Sequence, residues 1–414
     1  MLGFTKKERS WILYDVGNSA FYTTIMAGFF PVFFKNYWAG SVEATTSSFY
    51  LGITNSVAAA IVAILAPLIG VIVDVRGGKK KFLFTFTLIG IVASGLLAVT
   101  PQNAYLMAMI VFGIGMVGVA TGMAVYDSQL VEVTSKEKFH KVSAAGFSFG
   151  YLGGGLLFAA NVAMTLKPEM FGLRDASEAV KISFVSVAVW WLIFSIPIFK
   201  NVPDTEPTSK GSSKDALKLL VKTLKEITSN RNVLLFLAAY WLYIDGVGTI
   251  MRMAVDYGMS LGFESKDLIT ALLIVQFVGF PAAIVFGKIG EKLGAKFGIL
   301  LGVIIYSAIT VYAYFMKNST DFYVLAVLVA LVQGGVQSLS RSLFAHFVPA
   351  NKSTEYFGVF NMLGKFAAII GPVLMGLVGY LTESTRTSML SVLVLFAAGG
   401  LLLTKVSTQE TSSP

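Results

Sequence analysis

Twelve separate apolar stretches of about twenty residues each succeed one another along this chain. They lie near 10–34, 49–73, 82–100, 104–126, 143–166, 181–199, 232–257, 267–287, 297–316, 322–345, 356–381 and 387–404. A helix needs about 20 residues to cross about 30 Å of hydrocarbon. No water in the bilayer core can satisfy an open backbone group, so each stretch must close its hydrogen bonds within itself. The expected fold is an all-α membrane protein of twelve transmembrane helices, here called spans one to twelve. Charge is too sparse for any other solvent: of 414 residues, 55% are hydrophobic and 13% charged, about half the charge of a soluble protein. Small residues recur inside the spans, where they let backbones approach closely. Gly150, Gly153, Gly154 and Gly155 form one such surface, and Gly364, Gly371, Gly376 and Gly379 around Pro372 form another.

The scarce residues exclude whole classes of chemistry. There is no cysteine, hence no disulfide, thiolate metal site or thiol nucleophile. The two histidines, His140 and His346, are too few for a multi-histidine metal or haem site. No metal and no cofactor is expected. The net charge of +9 is read as basic loops facing an anionic membrane surface, with no nucleic-acid partner.

Lysine and arginine positions set the orientation. With the N-terminus inside, 22 of the 32 fall in inside segments and 7 in outside loops, the other three (Arg252, Arg341 and Lys365) lying in or at the edges of spans. That bias places both termini of a multi-pass protein in the cytoplasm. The first span follows Lys6, Lys7 and Arg9 and is polar in its first half, unlike a cleaved signal peptide.

The longest inside connection divides the spans six and six. The expected organisation is an N-terminal half over 1–200, a linker over 201–231, a C-terminal half over 232–405 and a tail over 406–414. The linker opens with Pro203, Pro207 and Gly211 and continues as an amphipathic helix over 213–229. Leu217, Leu220, Val221, Leu224 and Ile227 share one face, and Lys214, Lys218, Lys222 and Lys225 the other. Such a helix lies on the inner leaflet; a calmodulin-like partner site is the sharper alternative.

Each half repeats one loop pattern. After span two comes Gly70, Asp74, Arg76, Gly78, Lys79 and Lys80; after span eight comes Gly287, Glu291, Lys292, Gly294 and Lys296. This resembles the loop signature of the major facilitator superfamily, with Glu291 for Asp, Ala295 at a basic position, and Val75 inserted in the first copy. Asp74 and Glu291 can pair with bases and helix ends of a neighbouring span and latch one side of the protein shut; the plainer alternative is a loop that only holds positive charge inside. Finer strings narrow the resemblance: Trp11-Ile12-Leu13-Tyr14-Asp15 with Asn18 in span one, Gly150-Tyr151-Leu152-Gly153-Gly154 in span five, Tyr243 and Asp245 in span seven, Gly334-Gly335 through Gln337 to Arg341 in span ten, and Glu355, Phe357, Gly364, Lys365, Gly371 and Pro372 in span eleven. Together they look like the vacuolar amino-acid effluxer, or autophagy-associated permease, branch and its bacterial relatives; the short loops match the bacterial form, and that likeness implies the bacterial inner membrane. The resemblance implies a twelve-helix major facilitator fold of two six-helix pseudo-repeat halves, secondary transport by alternating access, and amino acids as the substrate of the characterised eukaryotic type.

Ionisable residues inside spans cost roughly 2.5–3.5 kcal/mol each on insertion scales and are functional candidates. Asp245 falls 13 residues into span seven, near the midplane at about 1.5 Å per residue. Arg252 and Asp256 share its helix face and can pair with each other. Lys365 is expected deep in a continuous span eleven, with Asn361 one turn below. Asp15 reads as shallow. Asp245 is the best proton or substrate-amine group, Lys365 or Arg252 a holder for a substrate carboxylate, and Tyr243, Asp15, Asn18, Gln333, Gln337 and Asn361 further lining. Asp127, Arg341 and Glu355 read as ion-pairing residues at the cytoplasmic ends of spans, with Arg341 paired to Glu355 or to an anionic substrate group. Tyr14, Tyr22, Tyr240 and Trp241 either wall a pocket or pack.

The expected activity is secondary transport of a small polar metabolite, most concretely amino acids, coupled to protons, by a monomer. Export of an amphiphilic metabolite, drug or lipid is the alternative within transport. An intramembrane enzyme lacks partners for serine, cysteine or zinc chemistry, and an Asp15–Asp245 dyad is opposed by their depths. A non-transporting receptor fits poorly with polar residues buried in both halves.

Overall fold

The computed structural model describes residues 3–204, 216–260, 265–367 and 370–407, and every regular element among them is a helix. Span two is Ala44–Arg76, span three Lys79–Val99, span four Tyr105–Ser128, span five Phe139–Leu166 and span six Ala176–Asn201. Span seven is Arg231–Ser260, span eight Ser265–Leu293, span nine Ala295–Phe315 and span ten Ser319–Phe347. Among the described residues eleven stretches are long and apolar enough to cross a membrane, counting span eleven (Ala350–Thr382) and span twelve (Arg386–Thr404) as one each. Span one is the twelfth. It opens as an α-helix over Lys6–Ala20, widens to π-helical turns over Phe21–Phe29, returns to α over Phe30–Phe33 and widens again over Phe34–Trp38. Its polar opening is fixed by a capping box, in which Thr5 accepts from the Glu8 N–H and Glu8 accepts from the Thr5 N–H.

One correction concerns continuity. The described helices of span eleven are Ser353–Phe366, followed by a turn at Ala367, and Ile370–Thr382, with residues 368–369 outside the described residues. Pro372, without an N–H and with a ring that crowds the preceding turn, disfavours an unbroken helix here. Span twelve is likewise divided, into Thr385–Leu390 and Leu393–Thr404. The linker helix is described over Ala216–Ser229; residues 205–215 lie outside the described residues. Along its expected apolar face Ile227 is buried, Leu220 and Leu224 are half-buried, and Leu217 and Val221 are exposed. Only Asn230 separates this helix from span seven, and the Asn230 side chain caps span seven by accepting from Asn232 and Val233 N–H. So tight a corner folds the Ile227 side onto span seven.

The chain forms two compact units. The first contains Met1–Thr134, Ala145–Lys214 and Asn351–Met362; the second contains Ser135–Ala144, Asp215–Ala350 and Leu363–Pro414. In the first, span one packs on span six, and span four on spans two and three. Lipid tails give no hydrophobic drive between helices, so close packing and hydrogen bonds must hold them. A Cβ on Gly150 would stand 2.6 Å from Ser19 Oγ, and one on Gly153 2.4 Å from Val16, so these glycines let span five meet span one. Trp11 stacks on Tyr126 at 4.4 Å. The Trp11 indole donates to the Tyr126 carbonyl, and the Tyr126 hydroxyl donates to the Trp11 carbonyl. In the second unit the strongest packing joins spans eight and ten, and spans seven and twelve.

Candidate functional site

The second unit carries the most deeply buried acid. Asp245 is 0% exposed, in the middle of span seven. Its carboxylate accepts the backbone N–H of Ile370 at 3.0 Å and of Gly371 at 3.1 Å, and the Thr249 hydroxyl at 3.2 Å. The first two donors are the opening N–H groups of the second half of span eleven. A helix start has free donors and a partial positive charge, and Asp245 meets both. The close fit needs glycine: a Cβ on Gly371 would stand 1.9 Å from Thr249 Oγ1 and 2.9 Å from Asp245 Oδ1. Sequence reasoning found Asp245 but not this partner, because span eleven reads as unbroken; Gly371-Pro372 was the available signal. Lys365 is half-buried in the last turn of Ser353–Phe366, where a cation meets the negative end of a helix.

Other expected residues belong to the same unit. Tyr243 is 0% exposed and its hydroxyl bonds Ser340 Oγ at 2.7 Å. Gln333 is buried, and the Gln337 amide reaches Met251 Sδ at 4.0 Å. The side chains of Arg252 and Asp256 lie outside the described residues. Arg341 donates from Nε to Ser143 Oγ at 2.9 Å and from its terminal nitrogen to the Ser143 carbonyl at 3.0 Å, binding span ten to the start of span five. The two histidines meet in the same region with ring centroids 5.0 Å apart, and His140 bonds Ser342 Oγ at 2.8 Å.

The first unit holds the other candidates. Asp15 and Asn18 are buried in span one, so Asp15 is enclosed even though it follows the charged N-terminal turn closely. The Asn18 amide donates to Met123 Sδ at 3.4 Å, and Tyr14 bonds Thr87 at 2.8 Å. Asn361 donates to Asp127 Oδ2 at 3.0 Å, four residues before Lys365 on the same helix.

The two loop copies differ. Asp74 is buried and accepts the N–H of Thr354 at 3.3 Å and of Glu355 at 2.8 Å, the first turn of span eleven. Lys79, also buried, pairs with Glu132 and donates to Ser353 Oγ at 2.7 Å; neither of these partners was foreseen. Gly70 permits the contact, since a Cβ there would stand 2.4 Å from the Thr354 carbonyl oxygen. The chain turns at Gly77 and Gly78, with φ of +70° and +79°, a region that favours glycine. In the second copy Gly294 has φ +85°, but Glu291 and Lys292 are exposed. Among the described residues no cluster of three or more His, Asp or Glu side chains is arranged to hold a metal.

Comparison with known proteins places these features. The family model described as "Vacuole effluxer Atg22 like" matches residues 36–412. An uncharacterized MFS-type transporter of Bacillus subtilis (strain 168), YxiO, is 39% identical over 417 residues, covering 100% of this chain and 97% of the relative. Autophagy-related protein 22 of Yarrowia lipolytica is 25% identical over 309 residues, covering 66% of this chain and 52% of that protein; the match thus spans about half the length of the fungal relative. Among solved structures, the human organic anion transporter MFSD10 superposes with a TM-score of 0.76 at 14% identity, over 96% of this chain and 99% of that one. The E. coli fucose:proton symporter FucP superposes with a TM-score of 0.64 at 14% identity, over 99% of each.

Proposed function

The chain belongs to the vacuole effluxer Atg22-like family and is a multi-pass MFS-type transporter, not an enzyme; from that premise we propose that it carries amino acids by alternating access, with the proton as coupling ion. The observation that supports the reading is Asp245. A carboxylate this deep is stable only while paired, hydrated or protonated. Here its charge is matched to the start of the second half of span eleven. Protonation removes the negative charge and one acceptor oxygen, and so frees that half-helix to move. Proton occupancy and helix position are thereby one variable. Transporter sites are commonly built at such interrupted helices near the midplane. Substrate groups then engage what the proton releases: the N–H groups of Ile370 and Gly371 suit a carboxylate, and Lys365 supplies a cation.

The two six-helix halves, 1–200 and 232–405, are proposed to move about the 201–231 linker as a monomer. Asp74 and Lys79 hold span two to the start of span eleven in one of the two states. Both termini are proposed to face the cytoplasm of a bacterial cell, on the lysine and arginine bias and the likeness to the B. subtilis protein.

The test is uptake of a labelled amino-acid mixture into proteoliposomes of the purified protein, with and without an imposed pH gradient. Accumulation of at least one amino acid that collapses with the gradient is the expected result. Absence of flux for every amino acid, in a preparation that moves some other solute, would overturn the substrate assignment.

A further inference from the structure

At the end of the first unit opposite its basic loops lies a cavity of about 420 Å3, lined by Tyr37, Gln102, Arg174, Ser177, Glu178 and Lys181 among others. No role described above uses it. The charges in it are unevenly committed. Arg174 is spent on Glu178, at 3.1 and 3.3 Å. Asp175 caps span six by accepting the Glu178 N–H at 2.8 Å. Lys181 donates to the Tyr37 hydroxyl at 2.6 Å and sits 4.5 Å from that ring's centre, and among the described residues it makes no ion pair. Ser177 Oγ is buried and has no hydrogen-bond partner. The cavity therefore offers an ammonium that is in no direct ion pair, though its charge is felt by Glu178, and a hydroxyl without a hydrogen-bond partner, beside the carboxylates of Asp175 and Glu178.

What continues from the cavity identifies its occupant. Its floor includes Ala98, Ile182 and Val185. From there Val92, Leu96 and Val99 form an exposed stripe on span three. Ile182, Val185 and Val189 form another on span six, packed beside it. Both stripes follow helical spacing, and both face outward in a protein whose outward face meets lipid. A polar cavity bordered by exposed apolar stripes on two packed spans suits a headgroup with its chains. Lys181 stands one turn into span six, at the depth where a lysine extends its ammonium to the interface.

We propose that this cavity binds the headgroup of a zwitterionic phospholipid carrying a phosphate and a primary amine. The phosphate meets Lys181 and Ser177, the amine meets Asp175 and Glu178, and the acyl chains lie along spans three and six. The site is separate from the transport reading and stands or falls without it.

The experiment titrates delipidated full-length protein with phosphatidylethanolamine, phosphatidylglycerol or chain-free glycerophosphoethanolamine, and reads bound lipid by native mass spectrometry. The expected result is one tight phosphatidylethanolamine adduct, weakened about ten-fold by Lys181→Gln, the scale of one charge-assisted hydrogen bond. Lys317→Gln, an exposed lysine of the second unit, should leave it unchanged. Wild-type affinity in Lys181→Gln would overturn the site. Equal affinity for phosphatidylglycerol would overturn the zwitterionic assignment, and equal affinity for the chain-free headgroup would overturn the lipid. Should Lys181→Gln fail to fold, Lys181→Arg and Ser177→Ala serve instead: retention in the first with several-fold loss in the second supports the site, and equal affinities in both refute it.

Discussion

Asp245 on span seven accepts the backbone N–H of Ile370 at 3.0 Å, across 125 residues of sequence. A buried carboxylate and an interrupted helix are each costly alone. Together each supplies what the other lacks, a negative charge against a positive helix end.

Asp245→Asn keeps the shape of the side chain but leaves one carbonyl oxygen where two carboxylate oxygens accepted. It should abolish pH-gradient-driven accumulation and lower stability by about 1–3 kcal/mol, the cost of one unsatisfied buried donor. If Asp245 carries only the proton, substrate exchange without a gradient should survive, because exchange requires no net proton movement; if it holds the amine, substrate binding is lost as well. Full gradient-driven accumulation by the variant would refute both roles.

The unequal loop copies make a sharper test. Asp74 is buried on the first turn of span eleven, whereas Glu291 is exposed. The chain has no native cysteine, so Ser128→Cys can report on this contact: Ser128 is buried and its hydroxyl is 3.3 Å from that of Thr354. Asp74→Asn should speed thiol labelling at position 128, and Glu291→Gln should not. Equal rates in both variants would return the loop to a purely topogenic role.

Gly70→Ala should act like Asp74→Asn by a different cause. Its Cβ would stand 2.4 Å from the Thr354 carbonyl oxygen, and backbone cannot swing aside as a side chain can. A loss of about 1–3 kcal/mol is expected, with faster labelling at position 128. Gly52→Ala, whose Cβ would meet nothing within 4 Å, is the control. Thermal unfolding in detergent that ranks the two variants equally would contradict the packing account.

Orientation can be read in intact cells. Ser135 and Thr320 are both exposed, so a cysteine at either is limited only by the membrane. With the basic loops inside, Thr320→Cys should react with an impermeant maleimide and Ser135→Cys should react only after permeabilisation. The reverse pattern would invert the assigned topology.

The number of spans, the repeated loops and the turns at Gly78 and Gly294 were legible along the chain. Each depends on a local rule: the length of an apolar run, the spacing of a pattern, the φ that glycine permits. Asp245 and Asp74 were legible as candidates for the same reason, since a charge in or at the end of an apolar run stands out wherever the run folds. Their partners were not legible. Helical period assigns a residue to a face, but it does not say which distant segment that face meets.

Sequence by itself therefore determined a helical membrane protein of twelve spans, because lipid thickness and the demand for closed backbone hydrogen bonds act on every run separately. Tertiary structure alone decided where the charges go: Asp245 and Asp74 to two helix starts in span eleven, Asn361 to Asp127, Lys79 to Glu132 and Ser353. It also decided that the helix of span eleven gives way to a turn at Ala367 and that the N–H groups of Ile370 and Gly371 meet a buried carboxylate from another span, a pairing that no local rule along the apolar run specifies.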